Sequence, residues 1–164
     1  MATKVFLKLH GETQGDIHGS ATGIAAVENW INVMAVDHEV VSPRDAASGL
    51  PTGKRQHKPI VLTKEVDKST PLIDSVLCNN ENLTQVEIRV YDDWAARGVF
   101  VHRYTIQLTN ASVAAIKTEL LNTAYTDNAA LKMREKVSLC YQKIVWTWVD
   151  GGITAEDDWE APVV

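Results

Sequence analysis

The side chains of this chain that could bind a metal, relay a proton or act as nucleophiles are five histidines, two cysteines and two short carboxylate runs. His10, His18, His38, His57 and His102 are scattered. They show neither the HExxH spacing that sets two imidazoles on one helix face nor a Cys-rich zinc pattern, so no metal and no cofactor is expected. Cys78 and Cys140 stand far apart without a Cys-x-x-Cys pattern and read as two reduced thiols. Asp92-Asp93 and Glu156-Asp157-Asp158 are adjacent carboxylates. Neighbouring strand residues point to opposite faces, so adjacency makes no cooperating acid-base pair, and the runs read as solvated turn and tail charges. GDIHGS lacks the glycine spacing that wraps backbone amides round a phosphate, and no nucleophile elbow is present. Trp146-x-Trp148 puts two indoles on one side of a strand, where they could stack a sugar or a base; such a pair is more often core or subunit interface, and the tight turn Asp150-Gly151-Gly152 beside them agrees with that reading.

Composition narrows the function classes further. Sixteen basic against twenty-one acidic residues give a formal net charge of -5, and the one basic cluster, Lys54-Arg55 with His57-Lys58, is short. A nucleic-acid surface, which needs clustered Lys and Arg, is not expected. A 45% hydrophobic and 23% charged chain of 164 residues suits one folded domain over 1–164 that buries most of its surface without staples. No stretch approaches the length of a membrane span, so no membrane insertion is expected. The opening MATKVFLKLHGETQGD alternates polar and apolar residues instead of running from basic to apolar, and no Sec-type signal peptide is read there.

Mostly strands must position these residues. Thr3 to Leu9 alternates Val5, Leu7 and Leu9 against Lys4, Phe6 and Lys8. Gly23 to Val41 is rich in β-branched and aromatic residues and reads as one long or bulged strand. Ser42 to Lys58, with Pro43, Gly49, Pro51 and Gly53, is a long loop, and Lys58 to Val66 returns to strand. In DKSTPLIDSVLCNN, Ser69 or Thr70 can cap a helix, Pro71 suits its first position, and Asn79 can turn left-handed after its end. Leu72, Ile73, Val76 and Leu77 form the buried stripe. Leu83 to Trp94 and Val99 to Thr109, joined at Arg97-Gly98, make a hairpin. Propensity in Asn110 to Asn122 favours a helix capped by Ser112, whereas Thr123 to Arg134 reads as loop. Glu135 to Val149 is a long strand whose apolar phase slips from Val137, Leu139 and Tyr141 to Ile144, Trp146 and Trp148, as a bulge near Gln142-Lys143 would produce. Residues 154–164 read as a short, exposed acidic tail.

The order of four segments, IHGSATG, GLPTGKRQHKPIVLTKEVDKSTPLIDSVL, VSLCYQKIVWTWVDGGI and DDW, resembles the Hcp family, the haemolysin-coregulated tube proteins of bacterial type VI secretion. Most specific is the middle block, with the turn and helix positions Lys64, Asp67, Lys68, Ser69, Pro71 and Leu72; Tyr141, Ile144 and Trp146 carry the match in the C-terminal strand. The resemblance implies a mainly β fold, two packed antiparallel sheets forming a distorted β-barrel with one main α-helix, here Pro71 to Cys78. It also implies that Asn110 to Asn122 is mainly strand. Loop 42–58 becomes the element that touches a neighbouring subunit or ring, through Pro43, Arg44, Asp45, Gly49, Leu50 and Pro51 at its far part and Thr52, Gly53, Lys54, Arg55, Gln56 and His57 on its return, with Lys54 and Arg55 meeting acidic groups of the neighbour. Functionally, the resemblance implies no enzyme but a subunit that forms homohexameric rings, stacked into a hollow tube. Its further partners would be sheath, spike and baseplate proteins and effector proteins carried in the lumen. Assembly would be cytoplasmic, followed by export through type VI secretion without a signal peptide. The rival readings are a small β-barrel binding an apolar ligand or a sugar through Trp146 and Trp148, and a hydrolase using scattered groups such as His102 or Asp93.

Overall fold

The computed structural model describes residues 2–94 and 97–160. In chain order its elements are β1 (Thr3–Gly11), β2 (Gly15–Ile17), β3 (Ile31–Val33), β4 (Ala35–Asp37), β5 (Val40–Val41), β6 (Gln56–His57), β7 (Ile60–Glu65), the helix α1 (Thr70–Cys78), β8 (Leu83–Trp94), β9 (Val99–Glu119), β10 (Arg134–Trp148) and β11 (Ile153–Asp158). Among the described residues they build two antiparallel sheets, one of nine strands and one formed by β5 and β6 alone. The large sheet runs β1-β8-β9-β10-β7-β4, with β2 and β3 both along the outer edge of β1. β3 and β4 are separated only by Met34, whose N–H donates to the Thr63 carbonyl at 2.7 Å. One short segment is therefore bonded to β1 on one side and to β7 on the other, and this draws the sheet round into a distorted barrel.

Inside the curl lie Leu7, Leu9, Ile31, Ile60, Leu62, Leu83, Ile88, Leu108, Leu139 and Ile144, all buried, with Ile73 and Val76 of α1 packed over them. A smaller cluster of Phe6, Ala21, Val27 and Tyr91 lies apart from it. Its Ala21 and Val27 come from the connection after β2, which explains why Tyr91 of β8 is buried although sequence alternation puts it opposite Val86, Ile88 and Val90. In that connection Gly19 passes so close to β3 that a Cβ there would sit 2.5 Å from Ile31 Cα and 2.6 Å from the Trp30 carbonyl. This is a physical reason for the glycine in IHGSATG.

Several expectations are revised. Gly23 to Val41 is not one strand: a 3-10 turn at Ala25–Val27, Asn29 at φ 63° and the change of partner at Met34 break it. Asn110 to Asn122, helical by propensity, is strand through Glu119, because β9 is paired on one side with β10 down to Glu119 and on the other with β8 up to Ala111, while Ala111 and Val113 fill the core. In β10 the burial phase slips between Tyr141 and Ile144 as expected, but the register shift against β9 falls between Ser138 and Leu139. Asn110, at φ 50° opposite Gln142, marks where the strands bend. Residues 153–158 are not a free tail but β11, paired with Lys143 to Trp148. The turn expected at Arg97-Gly98 is present, with Gly98 at φ 63°; residues 95, 96 and 161–164 lie outside the described residues.

The helix start also differs in detail. Asp67, not Ser69 or Thr70, supplies the accepting carboxylate, taking the Ser69 N–H at 2.9 Å and its hydroxyl, while the Thr70 hydroxyl accepts the Asp67 N–H at 3.1 Å. The helix opens at Thr70, one residue earlier than expected, with Pro71 second; Leu72 is exposed instead of lying in the buried stripe, and the left-handed residue after the helix is Asn80 at φ 50°. Lys68 is exposed. Lys64 is fully buried: β7 alternation points it inward, where its Nζ meets Glu135 Oε1 at 2.5 Å, Asp67 Oδ1 at 3.1 Å and Thr70 Oγ1 at 3.1 Å. Burial pushes the Asp67 carboxyl up, but the Ser69 hydrogen bonds and Lys64 outweigh it and hold it below the usual carboxylate range. This cluster ties β7, β10 and the start of α1 together and accounts for the Lys-x-x-Asp-Lys-Ser-x-Pro spacing. Lys64→Ala leaves two carboxylates without their cation and is expected to cost about 3–5 kcal/mol in denaturant unfolding, whereas Lys64→Met combined with Glu135→Leu recovers most of that loss.

Candidate functional site

Loop 42–58 is an ordered arm. Its legs pair as β5 and β6, Val40 with His57 and Val41 with Gln56, and the pairing continues outward through the Thr52 N–H to Pro43 carbonyl bond at 3.0 Å and an Arg44–Pro51 bridge. At the tip the Asp45 carboxylate accepts the Ser48 N–H at 2.9 Å and its hydroxyl at 2.6 Å, and Gly49 at φ 72° turns the chain back. Leu50 stands 64% exposed on that tip. Short-range turn bonds of this kind fix the arm's shape without a core of its own.

The root of the arm is held by side chains from distant parts of the sequence. β7 pairs with Arg134 to Leu139 of β10 and β11 with Lys143 to Trp148, both on the same edge, which leaves a gap at 140–142. The root is anchored beside it. His57 Nδ1 lies 2.8 Å from the Tyr141 hydroxyl and Nε2 lies 2.6 Å from Asp157 Oδ2, while His38, on the other leg, places Nε2 2.9 Å from the same hydroxyl. Arg55 donates through Nε to Asp157 and through a second nitrogen to the Asp158 carbonyl at 2.8 Å; Lys54 donates to the Trp159 carbonyl at 2.6 Å. Trp146 stacks on His57 with ring centres 6.4 Å apart, and the tilted Trp159 ring lies 5.0 Å from it.

The electrostatics of the root follow from these partners. The Arg55 guanidinium, and then His57, hold the Asp157 carboxyl below the usual range despite partial burial. A carboxylate only accepts, so His57 carries its proton on Nε2. Burial pushes the Tyr141 hydroxyl far above the usual phenol range, and it stays protonated as a donor. Burial, and after it the neighbouring His57, push His38 below the usual histidine range. The arrangement clamps the root of the arm to β10 and β11 through side chains. Among the described residues no three His, Cys, Asp or Glu side chains converge on a point where a metal ion would sit.

Residues 6–148 match the family model described as "Type VI secretion system effector, Hcp". The chain belongs to the Hcp family. It is similar to the "Major exported protein" of Pseudomonas aeruginosa, with 39% identity across 99% of both chains. Its fold resembles a crystal structure of an Hcp protein at a TM-score of 0.89, 31% identical over 98% of this chain and 100% of that one. It also resembles an Hcp1 protein of the E. coli EAEC 042 pathovar at 0.83, 32% identical over 96% and 99%. Hcp proteins are structural proteins of type VI secretion that assemble with themselves as ring-forming tubes, and this chain is one of them.

Set on this Hcp chain, the sequence-marked residues separate into two groups. Pro43, Arg44, Asp45, Gly49, Leu50, Pro51, Thr52 and Gly53 lie on the outer arm. Lys54, Arg55, Gln56 and His57 form its root, where Lys54 bonds to the Trp159 carbonyl and Arg55 to the Asp157 carboxylate and the Asp158 carbonyl of the same chain. Trp146 is covered by His57, while Trp148 is 45% exposed, so the two do not present one stacking platform. His38, Asp157 and Trp159 escaped the sequence reading. The terminal DDW was the signal for Asp157 and Trp159 and there was none for His38, since nothing in spacing links a carboxylate to a histidine one hundred residues away.

Tyr141→Phe leaves both histidines without their shared partner and is expected to lower unfolding stability by about 1–3 kcal/mol with the fold retained by circular dichroism. Asp157 has a folded value below its unfolded 3.8, so its contribution is present above that pH and is lost as pH falls through the folded value. Asp157→Asn should therefore lower the denaturant midpoint at neutral pH and converge with the parent in strong acid.

Proposed function

We propose that this chain is the tube subunit itself: copies close into hexameric rings, the rings stack into a hollow tube, and the outer arm reaches a neighbouring copy. The observation that carries this reading is the arm, an ordered hairpin with an exposed Leu50 at its tip and a root clamped by charge-assisted bonds. A free-standing hairpin of this size is marginal in water, and an apolar residue held out on a fixed support suits docking against another surface. An identical contact repeated head to tail closes into rings or extends as a filament, which is what a tube requires.

On this reading the protein makes and breaks no bond and needs no cofactor. It is assembled in the cytoplasm, engages sheath, spike and baseplate proteins, and is expelled from the cell with effector proteins in its lumen. The residues that face the neighbour are Pro43 to Gly53, whereas Lys54 to His57 set the direction in which the arm leaves the barrel.

Solution mass with negative-stain imaging tests the assembly: six-fold annuli are expected, and a monomer at every concentration would refute it. Deleting Gly49 to Gly53 is expected to leave the monomer folded and the annuli intact while abolishing stacks; undiminished stacking would remove the arm from the mechanism.

A further inference from the structure

The two legs of the arm attach to the barrel at one atom. His38, just before β5, and His57, in β6, both bond to the Tyr141 hydroxyl, at 2.9 Å and 2.8 Å, and beyond His57 the chain of bonds ends on Asp157. A phenol hydroxyl donates one hydrogen bond and accepts up to two. With both histidines neutral the count closes in one way. His57 Nε2 donates to Asp157, Tyr141 donates to His57 Nδ1, and His38 Nε2 donates to the Tyr141 oxygen.

One added proton can be placed without loss. On His38 it goes to Nδ1 and leaves the three bonds unchanged. On His57 it goes to Nδ1, the Tyr141 hydroxyl turns to donate to His38, and His38 accepts as its other tautomer. With both imidazoles charged, two N–H groups point at one oxygen, the hydroxyl proton has no acceptor in a site where the His57 side chain is 1% exposed, and two cations face each other across that atom.

We propose that the arm is latched by a proton-counting relay, His38–Tyr141–His57–Asp157, which satisfies every donor with one added proton, but with two leaves the Tyr141 hydroxyl proton unpaired and sets two imidazolium cations against one oxygen, so that acid unlatches the arm from the barrel. The surrounding charges do not rescue the doubly protonated state. Asp157, on β11, is the carboxylate bonded to His57, and the cation of Arg55 from the arm already neutralises it. Asp37, at the end of β4, acts on His38; Cys140 adjoins Tyr141 on β10; Lys58 and Glu160 line the cleft of about 420 Å³ beside His57. The sign follows from His38. Its folded value lies below the unfolded 6.5, so the latched state binds this proton less well than the released one, and the latch weakens as pH falls through that interval. The latch is a property of each copy; only its consequence, acid-weakened stacking, rests on the assembly reading above.

The test is amide hydrogen exchange of the full chain at neutral pH and at about pH 5, corrected for intrinsic rates. In the parent protein, exchange across residues 39–58 is expected to rise about tenfold or more in acid while Ile60–Glu65 stays protected. His38→Gln is expected to keep the arm protected in acid, because an amide can donate to or accept from Tyr141 without taking a proton. Tyr141→Phe is expected to expose the arm at both pH values. An arm equally protected at both pH values in the parent, or acid exposure unchanged in His38→Gln, overturns the relay. Imaging of the same samples separates the two readings: loss of the acid response with rings intact refutes the latch alone, and a working latch without rings refutes the tube.

Discussion

The ladder between β9 and β10 is the constraint from which the remaining geometry follows. It runs from Tyr104 opposite Trp148 to Glu119 opposite Arg134, and each strand has one further edge to fill. β8 takes the outer edge of β9, while β10 must be shared between β7 and β11, because β7 reaches only as far as Leu139. The sharing leaves an opening at 140–142, and unpaired strand backbone facing apolar side chains is costly. The Trp159 N–H takes the Gln142 carbonyl in that opening, and the arm root is anchored beside it on the Tyr141 hydroxyl, so the projecting element joins the barrel wall where strand pairing lapses.

Two polar clusters do opposite work around this ladder. Lys64, Asp67, Thr70 and Glu135 are sealed inside and fix how β7, β10 and α1 meet, which a purely apolar contact would leave freer to slide. In the other cluster His57 and Tyr141 are buried while Asp157 is partly open to water, and it joins both legs of the arm to β10 and β11. One sets the shape of the barrel; the other decides whether the arm is held against it.

Much of the fold was legible in the sequence because its strands have a covered and an uncovered face, as in β1, β8 and the second half of β10, and because Asp67 to Asn80 carries both ends of its helix in a short window. Three things were not. Asn110 to Glu119 has local helical preference, and only its two neighbouring strands override it, a fact that resides in residues far away. Gly23 to Val41 alternates as one strand would, yet it changes partner at Met34, and a change of partner has no periodic signature. Glu156 to Asp158 reads as a solvated tail because acidic runs usually are; that Asp157 is taken up by Arg55 and His57 depends on the fold being complete. The resemblance supplied what pattern could not, placing 110–119 in a sheet and 42–58 on the outside.

The latch also joins residues that leave the ribosome at very different times. Val40 to His57 has emerged long before Asp157, one hundred residues later than the histidine it bonds, has been made. A growing chain thus carries an undocked arm, and the hairpin takes its final direction only when β11 pairs with β10. On the tube reading, a copy still being made lacks the carboxylate that aims its arm, and only a finished chain presents the arm in its final direction.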